Sequence, residues 1–139
     1  GSWQKWDGSN YVTTSTYPGQ NSEPLTAVLI QEGQTITIDS RGITSQPMGT
    51  LTINGILELN DTGTDNNGTD YFFNTRNVIV TQTLSPYAAY IRFNNKVNFK
   101  LPLNATLQVF NGGLQGDCSN NQNIYIGAQV FSCCNGGDN

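Results

Sequence analysis

Histidine is absent from the 139 residues of this chain. Without an imidazole, the chain has no Ser-His-Asp or Cys-His catalytic arrangement and no histidine-based zinc site, and most general acid/base schemes lose their usual group. Paired carboxylates are the remaining catalytic device, and Asp39 and Glu58 lie on or beside predicted strands. Because two solvated surface acids explain both residues more simply, we expect that the protein is not an enzyme.

Charged residues are scarce as well: they make up 12% of the chain, and ten acids against six bases give a net charge of -4. An acidic surface with scattered bases repels phosphate, so nucleic acid is not an expected partner. No apolar run approaches the roughly 18 residues of a membrane helix, so membrane insertion is not expected either. The length suits one domain with a substantial core.

What the chain does contain is a succession of short runs in which apolar residues take every second position. Gly, Asn or Pro separates one run from the next, and no helical period of useful length occurs. This pattern predicts an all-β fold. A sandwich, a barrel and a β-solenoid all satisfy it. Corners of Gly and Asn between such short runs favour a right-handed β-solenoid, with a β-sandwich as the alternative.

The whole chain, 1–139, is interpreted as a single all-β domain. It consists of an irregular lead-in (1–24), a strand core (25–110) and a disulfide-closed C-terminal hairpin (111–139). The predicted strands cover 25–30, 34–39, 49–59 as two short strands, 72–80, 88–93, 97–101, 106–110, 123–126 and 129–131. The first two of these are related either as a hairpin or as a corner about Glu32-Gly33.

Gly55 lies in the middle of the most regular stretch, 49–59, on the side occupied by Leu51, Ile53 and Leu57. A missing side chain on the apolar side marks a bend, a bulge or the close approach of another backbone. We therefore predict that the chain turns at Asn54-Gly55 and that a branched side chain at Gly55 is costly. The same change at Gly68, in a polar loop, is expected to cost much less.

Three cysteines, Cys118, Cys133 and Cys134, all fall in the last 22 positions. A disulfide from Cys118 to Cys133 or Cys134 would close the hairpin over 120–131, provided that the ends of its strands meet within bonding distance. Adjacent cysteines in a strand point to opposite faces, so only one of the two can reach Cys118. Three thiols without a usual fourth ligand form a poor zinc set, so a disulfide with one thiol left over is preferred.

The most polar segment, 60–70, places Asp61, Asp65 and Asp70 among asparagine and glycine residues. Such a sequence is superficially similar to a calcium loop. The spacing does not fit the 12-residue motif with its closing glutamate, and no flanking helices are predicted. A solvated turn is therefore the main interpretation and a calcium site is the alternative. No other cofactor is expected.

Aromatic side chains are the candidates for ligand binding, because an exposed ring can stack on the face of a pyranose. Tyr87 follows Pro86 in a predicted loop, where a core role is hard to assign. For Trp6 the preferred interpretation is that it covers one end of the core, and ligand binding is the alternative. The aromatics Phe72, Phe93, Phe99 and Phe110 are assigned to the core. The candidate sugar-binding residues are Trp3, Trp6, Tyr11, Tyr17, Tyr87 and Tyr90.

The first 60 residues contain a series of glycine and apolar residues in a characteristic order and approximate spacing: Trp6, Pro18, Gly19, Val28, Ile30, Gly33, Ile36, Ile38, Asp39, Gly49, Leu51, Ile53, Gly55 and Leu57. With these residues the segment resembles the eight-glycine domain, a glycine-punctuated β module of extracellular and cell-surface proteins. The tail over 111–137 resembles the ends of modules in secreted or surface multidomain proteins of Bacteroidetes.

The resemblance implies a bacterial accessory module that is secreted or displayed at the cell surface, is β-helical and is not a catalyst. Its expected role is to bind polysaccharide or a surface glycan, or to mediate adhesion. The alternative is a purely structural spacer or assembly subunit of an adhesin or filament, with neighbouring domains or subunits as partners. The family supplies no agreed binding residues, so the sites named above rest on the residues alone.

Overall fold

The structure is a computed structural model that describes residues 3–6, 8–14, 27–38, 47–61, 68–81, 88–110, 112–116 and 122–132. All regular structure in these ranges is strand, which confirms the all-β prediction. None of these ranges holds a helix with the length and apolar character needed to cross a bilayer. The strands are β1 (Trp3–Trp6), β2 (Tyr11–Thr14), β3 (Val28–Ile30), β4 (Thr35–Ile38), β5 (Leu51–Ile53), β6 (Ile56–Asn60), β7 (Thr69–Phe72), β8 (Asn77–Val80), β9 (Tyr90–Asn94), β10 (Val97–Leu101), β11 (Thr106–Val109), β12 (Leu114–Gln115), β13 (Asn123–Ile126) and β14 (Gln129–Ser132).

Twelve of the strands form three four-stranded sheets. Sheet I has the order β11-β8-β5-β3, sheet II has β12-β9-β6-β4, and sheet III has β14-β13-β10-β7. Within these three sheets, every pairing is parallel except that of β13 with β14. From β5 to β13 the chain visits sheets I, II and III in that order three times. We call each round through the three sheets a pass. β3 and β4, in sheets I and II, are the described strands of the pass that precedes β5. The last pass comprises β11, β12 and β13, and β14 follows it.

The core lies on the inner faces of these sheets, because the register places apolar residues opposite apolar residues from one pass to the next. Leu57 pairs with Ile91 in sheet II, and Tyr71 pairs with Phe99 in sheet III. All four side chains are buried. Burying one such side chain stabilises a fold by about 1.5–3 kcal/mol, so the stacked rows form a continuous stabilising interior.

Gly55 lies at the corner between β5 and β6, as predicted. The backbone N–H groups of Asn54 and Gly55 both donate to the carbonyl oxygen of Ile30, over 2.9 and 3.1 Å. A Cβ atom on Gly55 would lie 2.3 Å from the carbonyl oxygens of both Gln31 and Gln34. Glycine is required here because the backbone of the preceding pass approaches so closely, which confirms the predicted close approach.

The expectation that a branched side chain costs much less at Gly68 than at Gly55 stays a prediction, but Gly68 also lies against the backbone of another part of the chain. Gly68 has φ +79°, and a Cβ atom there would lie 2.8 Å from the carbonyl oxygen of Lys96. That same oxygen accepts a hydrogen bond from the N–H of Thr69 over 2.9 Å. The polar loop therefore ends against the backbone of the next pass, a contact that no local sequence pattern reveals.

The segment 72–80, predicted as one strand, is divided into β7 in sheet III and β8 in sheet I. Thr75 lies buried at the corner between them. Its hydroxyl donates to the carbonyl oxygen of Gly49 over 2.7 Å, and the N–H of Asn77 donates to the same hydroxyl over 3.3 Å. A buried side-chain hydroxyl thus replaces the backbone partners that a continuous strand would have had.

The pairing of the strands decides two further predictions, one about the turn at Glu32-Gly33 and one about the lead-in. β3 and β4 do not pair with each other but with β5 and β6, so Glu32-Gly33 is a corner and not a hairpin turn. The described part of the lead-in is not irregular, because β1 and β2 form an antiparallel pair. Tryptophan, tyrosine, valine and threonine favour strands, and Gly8, with φ +106°, lies in the turn between them.

Candidate functional site

The candidate aromatic residues differ in exposure. Tyr11, on β2, is 61% exposed, whereas Trp3 is partly buried against the core and Tyr90 is only 8% exposed. The side chain of Trp6, together with Tyr17 and Tyr87, lies outside the described residues. A stacking platform needs an accessible ring, so Tyr11 alone among the three described side chains presents one.

Tyr90 belongs to a ladder on the outer face of sheet II. The Arg92 guanidinium donates from Nη2 to the Tyr90 hydroxyl over 2.5 Å and from Nη1 to Glu58 Oε2 over 3.0 Å. The guanidinium carbon lies 5.1 Å from the centre of the Tyr90 ring, which is a cation–π distance. Thr37 also donates to Glu58, over 3.2 Å. Glu58 is thus engaged in cross-strand contacts and Tyr90 in contacts along its own strand. Asp39 lies outside the described residues.

The two described aspartates of the polar segment make different contacts. Asp61 accepts a hydrogen bond from the hydroxyl of Thr69, a fully buried residue, over 2.6 Å. Asp70 is the next residue along β7, so strand alternation directs it to the outer face. Within the described ranges, no three carboxylate, thiol or imidazole groups are placed to hold a metal ion. Asp65 lies outside those ranges, so a calcium loop that uses it remains a prediction.

The three cysteines, Cys118, Cys133 and Cys134, also lie outside the described residues. The strands they would join do form an antiparallel pair, β13 with β14, in which Asn123 faces Ser132. Cys133 directly follows Ser132 in the sequence, and four residues separate Cys118 from Asn123. The disulfide from Cys118 to Cys133 or Cys134 remains a prediction.

The outer face of sheet III carries two rows of side chains that sequence reasoning did not connect. The parallel register aligns them across three successive strands. One row offers hydrogen-bonding groups, and the other places a lysine between two aromatic rings. The first row is Asp70, Asn98 and Asn123, and the second is Phe72, Lys100 and Tyr125.

Hydrogen bonds link the two rows to each other. Asp70 accepts from the Asn98 amide over 2.7 Å and from the Lys100 ammonium over 2.9 Å. The Asn123 amide donates in turn to Asn98 Oδ1 over 3.5 Å. The Lys100 nitrogen lies 5.0 Å from the centre of the Tyr125 ring. Because each polar side chain has a partner in the sheet, the face holds its groups in a defined arrangement.

The spacing of the second row follows from the sheet itself. Neighbouring strands lie about 4.8 Å apart, so Phe72 and Tyr125, two strands apart, are separated by about 9.6 Å. Both side chains are partly exposed, as are Asn98 and Lys100. The face can therefore offer ring surfaces to an apolar ligand face and amide, carboxylate and ammonium groups to hydroxyls.

The pKa of the Asp70 carboxyl reflects this environment. Partial burial raises the pKa, but hydrogen bonds from Asn98 and Lys100 and the positive charge of Lys100 outweigh that effect, so the net pKa is lowered. A carboxyl whose pKa is lower in the folded state stabilises the fold above its unfolded pKa, near 3.9, and loses that contribution as the pH falls through the folded value.

We therefore expect Asp70→Asn to lower the melting temperature slightly at about pH 6, with the difference from the parent shrinking towards about pH 2. The effect should stay within about 1 kcal/mol, because the pair is largely exposed. Thermal melts of both proteins across this pH range measure it. A difference that is the same at every pH would show that ionisation of Asp70 does not contribute.

Two of the four phenylalanines assigned to the core are not buried. Phe93 and Phe99 are buried, but Phe72 lies on the outer face of sheet III and Phe110 is 51% exposed. Tyr71 takes the inner position on β7, so its neighbour Phe72 must point outwards. The same alternation of inward and outward residues could have revealed the outer rows. It would have had to be combined with an alignment of the strands that contain Asp70, Asn98 and Asn123.

Comparisons of the chain with protein-family models, with curated proteins and with solved structures found no match. The resemblance to the eight-glycine domain therefore remains a prediction. The assignment of a function depends on the geometry of the described residues and on the sequence.

Proposed function

We propose that this protein is a non-catalytic module, secreted or displayed at the cell surface, that binds polysaccharide through the outer face of sheet III. One observation carries the proposal: Phe72, Lys100 and Tyr125 form a row alongside Asp70, Asn98 and Asn123. Aromatic rings suit the apolar faces of pyranose units, and the amide and carboxylate groups suit their hydroxyls.

The contacts within this face favour binding in two ways. Hydrogen bonds already hold Asp70 and Asn98 in place, so less side-chain freedom is lost when a ligand binds. The Asp70 carboxylate and the Lys100 ammonium compensate each other's charge at 2.9 Å. A surface with balanced charge suits a neutral polysaccharide better than a highly charged one.

The proposal includes the finer fold assignment, a right-handed β-solenoid. The repeated order of sheets I, II and III and the parallel register between passes support a coiled chain. A connection between parallel strands of one sheet is right-handed in about 98% of cases, which favours this hand. A β-sandwich, the alternative, is typically built from antiparallel strands. A solenoid would also present the outer face as an extended binding surface.

Affinity electrophoresis through gels that contain neutral polysaccharides tests the function, after a glycan array has identified a ligand. The parent protein should be retarded, and Tyr125→Ala should weaken binding at least about tenfold, equivalent to about 1.4 kcal/mol. The expected loss follows from removal of one ring of the row. Tyr125 is partly exposed, so the fold should be retained, which circular dichroism checks.

Tyr11→Ala is the matched control, since Tyr11 is an exposed tyrosine on β2, a strand outside sheet III. It should leave retardation unchanged. If Tyr11→Ala loses binding and Tyr125→Ala does not, the binding site lies among the aromatic residues near the amino terminus that the sequence predicted. If the parent protein binds no glycan, the binding function itself is overturned.

The alternative function is a structural spacer or assembly subunit of an adhesin or filament. The passes lie one on another, and we call this arrangement the stack. The specific observation in favour of the alternative is that both edge strands of sheets I and II lie at the ends of the stack and are paired in parallel. They are β3 and β11 in sheet I, and β4 and β12 in sheet II. Exposed edges are where neighbouring domains or subunits can add. This function predicts concentration-dependent self-association without glycan binding.

A further inference from the structure

The last pass of the chain is almost free of charge. No Asp, Glu, Lys or Arg occurs between Leu101 and Gly116 or between Cys118 and Gly137, and the last base in the sequence is Lys100. Proteins usually protect exposed strand edges with charged side chains, especially lysine, or with proline. The strands of the last pass, β11 to β13, and β14 after it have neither protection.

These strands also form one end of all three sheets. β11 is the edge of sheet I, β12 is the edge of sheet II and β14 is the edge of sheet III. The edge of a parallel sheet presents backbone N–H and C=O groups to whatever lies beside it. This end of the stack can therefore add a strand from a partner.

Apolar side chains are exposed at the same end. Phe110, which directly follows β11, is half exposed, and Phe131 on β14 is similarly exposed although it pairs with the buried Ile124. Leu103 and Val130 are exposed as well. A concentration of exposed apolar residues beside uncharged strand edges marks an interaction surface rather than a solvated one.

We propose that this end of the stack docks onto the same end of a second copy of the chain, related by a twofold axis. A twofold interface brings each surface against itself, so apolar residues meet apolar residues, and β11 can pair with its counterpart in antiparallel fashion. Two copies that each carry a net charge of -4 repel over most of their surface. The last pass, in whose sequence Asp117 is the one charged residue, is where that repulsion is weakest, which favours a second copy as the occupant.

Sedimentation equilibrium over a range of protein concentrations tests this interface. The parent protein should show a reversible monomer–dimer equilibrium. Phe110→Lys places a charge at the interface and should raise the dissociation constant at least about tenfold. Since Phe110 is half exposed, the monomer should still fold, and circular dichroism verifies that it does.

Leu29→Lys is the matched control, because Leu29 is an exposed residue on β3, at the opposite edge of the same sheet. It should leave the dimer unchanged. Both variants keep all three cysteines, so a disulfide between copies cannot produce the difference. If Phe110→Lys does not fold, Gln108→Lys, on the exposed side of β11, replaces it with the same expected result.

Two results would overturn the proposal. A parent protein that remains monomeric at all concentrations would show that the end of the stack does not bind a second copy. Equal weakening by Leu29→Lys and Phe110→Lys would show that opposite ends meet, which gives open head-to-tail assembly instead of a twofold dimer. Neither result depends on whether the outer face of sheet III binds polysaccharide.

Discussion

Replacement of Gly55 by alanine should lower the free energy of unfolding by about 3 kcal/mol or more, the upper range for overpacking. The new Cβ atom would lie 2.3 Å from two backbone carbonyl oxygens, those of Gln31 and Gln34. Neither oxygen can withdraw easily, because each accepts a backbone hydrogen bond: Gln31 from the N–H of Gln34, and Gln34 from the N–H of Ile56. The change therefore separates two passes of the chain.

Gly112→Ala is the control for this prediction. Gly112 has φ +82°, but a Cβ atom there would meet no other atom within 4 Å. Its cost is confined to the left-handed backbone conformation, about 1–2 kcal/mol. Urea unfolding of the two variants measures both values. A loss at Gly55 no larger than that at Gly112 would contradict the role assigned to the close backbone approach.

Phe99→Ala should destabilise the protein by about 3–5 kcal/mol, the range for a fully buried phenylalanine. Its ring lies between Phe73, with ring centres 5.0 Å apart, and Phe93, at 6.5 Å in an edge-to-face arrangement. Tyr71 and Ile124 occupy the paired positions on the neighbouring strands. Alanine would leave a cavity that strands on both sides of β10 line, so the core cannot easily collapse around it.

Phe72→Ala is the matched control, since Phe72 is the same residue type in the same sheet but lies on the outer face. Its replacement removes a partly exposed ring and leaves no internal cavity, so it should cost about 1 kcal/mol or less. Urea unfolding of both variants supplies the comparison. Equal losses would contradict the assignment of inner and outer faces along β7 and β10.

Over 49–59 the period of two was sufficient for the strands and for the side of each strand that is buried. Leu51, Ile53, Leu57 and Leu59 alternate in the sequence, and all four are buried. Gly55 interrupts that row where the backbone of the preceding pass approaches. These features were predictable because strand geometry and the steric requirement at a corner act over a few residues.

Local periodicity could not predict which strands pair with each other. The sequence left a corner and a hairpin equally open at Glu32-Gly33 and indicated a continuous strand across Thr75. The structure separates both pairs of strands into different sheets because their backbone partners come from other passes. Gly68 shows the same limit, since the carbonyl of Lys96 that it approaches is far away in the sequence.

By itself, the sequence determined the all-β class, the inward positions of the core strands and the absence of imidazole chemistry, since these depend on residue type and local periodicity. Only the tertiary structure decided which outward residues meet. Asp70, Asn98 and Lys100 are 28 and 30 residues apart in hydrogen-bonded pairs. Their contact depends on the parallel register of β7 with β10, which is set by the packing of the buried rows on the other side of the sheet.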